Sequence, residues 1–329
     1  MQWHERVGRR IRLRDLHILM AAVEAGTMAK AAIELGISQP AVSKAIAETE
    51  QTLGVRLLDR SPKGLIVTDY GRALLRRAVK VFDELRQVTD ELRFLADPTA
   101  GQICLGCSES MTAGLLPAII AYLANRYPKI TLHAAQMSFA PLQFDELRER
   151  TVELVLGRIP WPLLERELDG VVLLDEGIHI VAGARSRWAR RRRIELSELI
   201  GEPWALPPPD SLPGKLVADA FRARGLDVPA ASVVTGSIHL LANALPITGG
   251  FLSVVPASVL RFNQRLPLKV LPVDFPVELG RVGIVWLKDR TLSPVAQLFI
   301  ECARELTQSA CGTPGPRLAP PPSTLPRGQ

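Results

Sequence analysis

Residues 13–71 read LRDLHILMAAVEAGTMAKAAIELGISQPAVSKAIAETEQTLGVRLLDRSPKGLIVTDYG, and the N-terminal fold follows from their spacing. Leu16, Leu19, Ala22 and Val23 recur at helical intervals, and Ala25-Gly26 ends that helix. Thr27 is a good N-cap for a short helix over about 28–35, carrying Ala29, Ala31, Ala32 and Leu35. Gly36 then supplies a sharp turn. Ser38 can cap a third helix, with Pro40 tolerated in its first turn. Val42, Ile46, Thr49 and Leu53 share one face of it, while Gln39, Ser43 and Lys44 point elsewhere. Two short helices joined by a tight turn, the second with a polar exposed start, form a helix-turn-helix. The first helix braces the second, whose N-terminal Gln and Lys can reach base edges in the major groove. An ordinary helical hairpin inside a core would share much of this pattern.

The reading extends outward on the C-terminal side. Residues 57–68, LLDRSPKGLIVT, suggest two short strands around a Pro-Lys-Gly turn, a wing that holds Arg60 and Lys63 near phosphates. A long helix follows over roughly 69–96. Leu74, Ala78, Val81, Leu85, Val88, Leu92 and Leu95 alternate spacings of four and three along it, an unbroken heptad seam that reads as a dimerisation coiled coil. At 1.5 Å per residue this helix is about 42 Å long. Asp97-Pro98-Thr99-Ala100-Gly101 breaks it and marks a linker.

Charge agrees with a nucleic-acid partner for the first part. Residues 1–80 hold 14 Lys+Arg against 8 Asp+Glu, whereas residues 81–329 hold 26 of each, so the net +6 lies in the first quarter. A basic solvated face without a partner would give the same count. No apolar run approaches the roughly 18 residues of a membrane helix. The basic start is followed by no apolar run ending in a cleavage site, so no signal peptide is expected and the cytoplasm is the default location. Cys104 and Cys107 form a CxxC, but strand alternation sends them to opposite faces and no second Cys or His pair stands nearby. Small buried hydrophobes are the expectation, with no metal and no cofactor.

From residue 102 strands and helices alternate. Strands are expected at 102–107, 130–136, 152–158, 171–176, 178–183, near 233, and at 251–255, 269–273 and 281–287. Helices are expected near 112–127, 141–150, 213–224, 237–245 and 293–308. This is an α/β region of two similar subdomains with parallel sheets, whose ligand crevice lies at the carboxyl ends of the strands. The tail from Gly312 is rich in Pro and is expected to be disordered.

The block Ser38-Gln39-Pro40-Ala41-Val42-Ser43, then Ile46, Leu53-Gly54, Asp59-Arg60, Thr68 and Gly71, resembles the LysR-type transcriptional regulators, and the resemblance runs over about residues 12–308. The chain departs from the family at Thr27 (usually Ser), Thr49 (usually Leu) and Leu58 (usually Phe). These positions bear on packing more than on DNA contact. The resemblance implies an α/β protein with an all-α-rich N-terminal module. It places a winged helix-turn-helix in 1–68, a dimerising linker helix in 69–97, a periplasmic-binding-protein-like effector domain of two α/β subdomains in 101–308, and the disordered tail in 309–329. It further implies a homodimer or homotetramer that contacts two DNA sites, bends the DNA between them, regulates its own promoter and meets RNA polymerase there. A small metabolite would alter that geometry. The segments 111–117 (MTAGLLP) and 154–158 (LVLGR) look most like regulators of sugar uptake and aromatic-acid catabolism.

The implied DNA-contacting set is Thr27, Gln39, Pro40, Ser43 and Lys44, with Arg60 and Lys63. The implied effector cleft uses the loop after the first strand, Ser108-Glu109-Ser110-Met111, where small hydroxyls at a helix start suit an anion. Thr112 could equally cap that helix. Gln136, Met137 and Ser138 follow the second strand, and Arg158 ends the third. Arg158 can clamp a carboxylate or make a structural ion pair. Leu206, Pro207, Ser237, Ile238, Gly249, Gly250 and Phe251 come from the second subdomain. The mix suits a small organic acid or a sugar. The arginines at 190–193 read as a solvated loop. The competing functions are an enzyme with an appended DNA-binding region and a solute-binding protein. Among five His none pairs at metal spacing, there is no nucleophile elbow, P-loop or GxGxxG, and a solute-binding protein would lack residues 1–96.

Overall fold

The computed structural model describes residues 11–61, 64–137, 144–263, 265–275 and 277–311. Lys63, Ser138 and the tail from Gly312 lie outside these residues, as do the side chains of Arg60 and Ser61. The chain divides into two compact units, Met1–Asp90 and Glu91–Gln329.

The first unit is built on α1 (Leu13–Glu24), α2 (Met28–Glu34) and α3 (Gln39–Leu53), followed by the hairpin β1 (Leu58–Ser61) and β2 (Gly64–Val67). Caps set the helix boundaries. Thr27 Oγ1 accepts from Lys30 N at 3.2 Å, and Ser38 Oγ accepts from Ala41 N at 3.4 Å. Gly36, at φ 65°, makes the turn between α2 and α3, a conformation that costs other residues strain. Leu19, Ala22, Ala31, Val42, Ile46 and Leu57 are fully buried in one core. Glu50 ties α3 to the wing, accepting from Leu57 N at 2.7 Å and Leu58 N at 3.2 Å. Thr49 is buried and donates to Ala45 O at 2.8 Å, so its hydroxyl costs nothing in the core. The long helix α4 spans Asp69–Ala96. Gly71 in its first turn lies so close to Leu57 O that a Cβ would stand 2.2 Å from it.

The second unit centres on a nine-stranded sheet. Its elements in chain order are β3 (Ala100–Cys107), α5 (Glu109–Ala113), α6 (Leu115–Arg126), β4 (Lys129–Gln136), α7 (Asp145–Arg148), β5 (Leu154–Ile159) and β6 (Leu168–Gly183). There follow β7 (Trp204–Leu206), α8 (Leu212–Arg222), β8 (Ala231–Val234), α9 (Leu245–Thr248), β9 (Leu252–Pro256), α10 (Ala257–Phe262), β10 (Leu268–Val270), β11 (Val277–Leu287) and α11 (Pro294–Cys311). The order is β4-β3-β5-β11-β6-β9-β7-β8, with β10 on β6. Parallel pairing holds at both ends, in β3 with β4 and β5 and in β7 with β8 and β9.

The centre corrects the expectation of purely parallel sheets. β11 is antiparallel to β5 and β6, and β6 is antiparallel to β9 and β10. The expected strands 171–176 and 178–183 are one strand of 16 residues, about 50 Å long, shared by both subdomains. The polar Asp175-Glu176-Gly177 suggests a break, yet Glu176 is buried and satisfied by Ser258, so the ladder continues.

Helix boundaries also shift. The expected helix 112–127 is two, broken at Gly114, where a Cβ would stand 2.9 Å from Val259 Cα of α10. The region near 237–245 is a π-helical turn over Leu240–Ala244 running into α9. Pro246 lacks the N–H a regular ladder would use there. Separate buried clusters fill the two subdomains, one around Leu105, Ile119 and Phe299 and another around Trp204, Phe221 and Phe275.

Candidate functional site

Two surfaces gather chemistry. On the first unit, Gln39, Pro40 and Lys44 are exposed and Ser43 is half-buried at the N-terminal end of α3. Lys44 stands 3.7 Å from Glu48, both largely solvated, so this pair is weak and leaves the ammonium available. Thr27 is half-buried and occupied in capping α2. Arg60 lies on β1 opposite Leu65 in the wing. The core face of α3 and the polar face are thus separated as the periodicity requires.

Along α4, the seam divides. Ala78 is buried and Leu74 packs against the core of the first unit, a correction to their place in an external seam. From Val81 onward the stripe is open: Val81, Leu85, Val88, Leu92 and Leu95 rise from 40% to 67% exposed. Isolated exposed hydrophobes are ordinary, but five on one heptad stripe form a continuous apolar edge.

Within the second unit, a cavity of about 960 Å³ opens between the subdomains. Ser108, Ser110, Gln136, Met137, Arg158, Pro207 and Ile238 line it, as the sequence suggests. Met111, Leu206, Ser237 and Phe251 do not. Met111 turns into the core at 0% exposure because it occupies the inner face of α5. Leu206 is buried in β7. The Ser237 hydroxyl is held by Glu109 at 3.1 Å. Phe251 folds back against Gly249. Thr112 does not cap the helix start; it donates to Glu109 O at 2.7 Å. Met137 fits because Gly106 opposite has no side chain, and a Cβ there would lie 1.9 Å from the Met137 sulfur.

Glu109, from the expected loop, also lines it, and residues not foreseen from the sequence complete the wall: Pro208, Asp210, Ser211, Leu212 and Pro213, with Ile178, Gly236, Leu241, Val254, Pro256 and Leu279. Pro208–Ser211 lie in the turn into α8 and Leu212 and Pro213 open that helix, whose approach to the cleft depends on packing across the sheet. The Ser211 cap followed by Pro213 was a readable helix start, but not a readable cleft position.

The electrostatics centre on Arg158 and Glu176. Arg158 Nη1 is buried with no hydrogen-bond partner among the described residues. Burial pulls its pKa below the ordinary arginine value, and the nearby Glu176 charge opposes that shift. Burial likewise raises the Glu176 carboxyl above its usual range, against hydrogen bonds from Ser258 N at 2.9 Å and Ser258 Oγ at 2.6 Å and the charges of Arg158 and Arg261. Glu109 Oε1 crosses the cleft, accepting from Ser237 Oγ at 3.1 Å and His239 N at 3.5 Å. Ser108 and Ser110 hydroxyls are 3.1 Å apart.

Other candidates settle into structure. Cys107 is buried, as expected, and its thiol is pushed up to about 11, whereas Cys104 is half-buried, a correction to the expectation that both are buried. No group of three or more His, Cys, Asp or Glu among the described residues could hold a metal. Arg191 pairs with Glu198 at 3.0 Å and Arg193 with Glu195 at 3.1 Å on the surface. No single helix among the described residues is long and apolar enough to cross a membrane.

Residues 96–308 match the family profile described as LysR substrate binding domain, and residues 13–72 match that described as bacterial regulatory helix-turn-helix protein, lysR family. The HTH-type transcriptional regulator YdcI of Escherichia coli strain K12 is 27% identical over 306 residues, covering 93% of this chain and 99% of its own length. GbpR, an HTH-type transcriptional regulator of Azospirillum brasilense, is 25% identical over 297 residues, covering 90% of this chain and 86% of its own length. Among solved structures, a full-length OxyR variant from Pseudomonas aeruginosa superposes with a TM-score of 0.61 at 22% identity, covering 91% of this chain and 95% of its own. A LysR family transcriptional regulator from the same organism gives 0.52 at 24% identity, covering 90% and 98%. At these identities the structural likeness is one of fold.

Proposed function

The chain belongs to the LysR family of bacterial regulatory helix-turn-helix proteins, and from that premise we propose how its parts act. It is a DNA-binding transcriptional regulator with an effector-binding domain. Gln39, Ser43 and Lys44 contact base edges in the major groove of an operator, with Pro40 and Thr27 holding the helix start against the backbone. Arg60 and Lys63 of the wing contact phosphates, adding affinity without sequence information. Val81, Leu85, Val88, Leu92 and Leu95 pair with a second copy, giving a homodimer that doubles to a tetramer. The working location is the cytoplasm, where the operator is.

The cleft between the subdomains holds the effector, a small molecule with a carboxylate. The observation that carries this is the buried Nη1 of Arg158, unpartnered among the described residues, on the wall of a cavity of ligand size. A buried donor without an acceptor costs about 1–3 kcal/mol, which a carboxylate would relieve. A footprint over the gene's own promoter region, with and without small organic acids and sugars, tests the reading. An altered protection pattern with an acid, lost in Arg158→Gln, is expected. Protection indifferent to every acid while a sugar alters it would overturn the carboxylate assignment.

A further inference from the structure

We propose that the cleft selects a small zwitterion, an L-amino acid with an apolar side chain, its carboxylate on Arg158 and its ammonium on Glu109 and Asp210. The proposal rests on the reading of this cleft as the effector site. The charges on its wall carry the argument. Arg158 supplies one positive charge with an unmet donor, and its field is already partly countered by Glu176. It therefore calls for one negative group on the ligand and no more. Glu109 and Asp210 line the same cavity. Among the described residues neither has a cationic partner. The Glu109 contacts are Ser237 Oγ at 3.1 Å and His239 N at 3.5 Å, both neutral donors to the same oxygen.

One arginine against two carboxylates leaves the wall with a formal charge of −1 (+1 − 2) before Glu176 is considered. A dicarboxylate or a phosphate ester would bring two negative charges against the half-buried Glu109 and the exposed Asp210, with one arginine on the wall to meet them. A simple monocarboxylate would satisfy Arg158 but leave Glu109 and Asp210 without a countercharge. A zwitterion gives Arg158 a carboxylate and gives Glu109 and Asp210 an ammonium to share, without adding to the net charge of the wall. The remaining wall decides between side chains. Ile178, Ile238, Leu241, Val254 and Leu279 present aliphatic surface, with no aromatic face among the described lining residues. Hydroxyls of a polyol that faced this aliphatic part of the wall would lose their water there, a cost that an aliphatic side chain avoids.

The test uses the full chain and calorimetric titration. The probes are L-leucine, L-isoleucine, L-valine and L-methionine, with 4-methylpentanoate (leucine without its amine), isopentylamine (leucine without its carboxylate) and D-galactose. At least one amino acid is expected to bind, with its des-amino or des-carboxy analogue roughly 10- to 100-fold weaker, the value of a charge-assisted hydrogen bond. Asp210→Asn and Glu109→Gln should each weaken the amino acid roughly tenfold and leave 4-methylpentanoate bound no more weakly than before. Asp210 is exposed, so its variant keeps the fold in view even if Glu109→Gln loosens the cleft. Equal binding of 4-methylpentanoate and leucine, or an affinity indifferent to both carboxylate variants, overturns the zwitterion and leaves the carboxylate reading standing. Binding of D-galactose alone overturns both the zwitterion and the carboxylate reading. No amino acid binding at roughly 10 mM, well above weak small-ligand constants, overturns the zwitterion too. Amino-acid binding untouched by Arg158→Gln would instead place the site elsewhere and overturn the cleft assignment itself.

Discussion

Replacing Leu85 by Asp tests the coiled-coil assignment with little risk to the monomer. Leu85 is 45% exposed and belongs to the open part of the seam, so the substitution removes no core contact. Fully burying a Leu or Val contributes roughly 1.5–3 kcal/mol. Each of the five open seam residues is roughly half exposed, so covering it contributes about 1 kcal/mol, and ten across a two-fold interface about 10 kcal/mol. Association itself costs an estimated 4–15 kcal/mol, so this stripe is close to the margin. Leu85→Asp removes about 2 kcal/mol from that total and adds two carboxylates to an apolar seam, each costing at least the value for an unpaired neutral polar group, about 1–3 kcal/mol. Together these amount to about 4–8 kcal/mol, a dimer constant weakened at least 10³-fold. Sedimentation equilibrium at micromolar protein should show smaller species, with the far-UV circular dichroism unchanged. An assembly mass equal to that of the unaltered chain would refute the seam.

Arg60→Ala should weaken binding to every DNA sequence alike and lower the slope of log K against log salt by about one unit. A loss confined to one base position would contradict the phosphate role. Glu176→Gln should change the pH dependence of stability. Burial raises the Glu176 pKa above the usual 4.5, so the folded state holds this proton more tightly than the unfolded. Stability from this group is therefore full below 4.5 and is lost as pH rises through the raised value. The urea midpoint of the unaltered chain should decline over that window relative to Glu176→Gln, and parallel profiles would remove Glu176 from the account.

The parts legible in the sequence are those fixed by near neighbours. The caps Thr27 and Ser38, the turn at Gly36 and the alternating seam of α4 each act within a few residues. Their structure follows from spacing. The parts that were not legible depend on distant partners. Glu176 is a polar residue inside β6 because Ser258, 82 positions on, supplies its hydrogen bonds. Without that partner Asp175-Glu176-Gly177 looks like a turn. Leu74 and Ala78 keep the heptad rhythm, but Leu74 packs on the core of the first unit and Ala78 is already buried within the single chain. In the cleft, Arg158 was readable from its place at a strand end. Asp210 was not, because the turn before α8 meets the cavity only through the packing of β7 between β8 and β9. Met111 and Phe251 sit beside true lining residues, one turned inward on a five-residue helix and one folded on Gly249.

The central claim is that the exposed start of α3 reads DNA sequence. Fluorescence anisotropy on the promoter fragment and on a scrambled duplex, with the unaltered chain, Ser43→Ala and Lys44→Ala, tests it most directly. Each variant should lose about 1–3 kcal/mol on the promoter, roughly 5- to 150-fold. The loss should be larger on the promoter than on the scrambled duplex, with no change in melting temperature. Equal affinity for the promoter in all three proteins would contradict the assignment of Gln39, Ser43 and Lys44 to the bases.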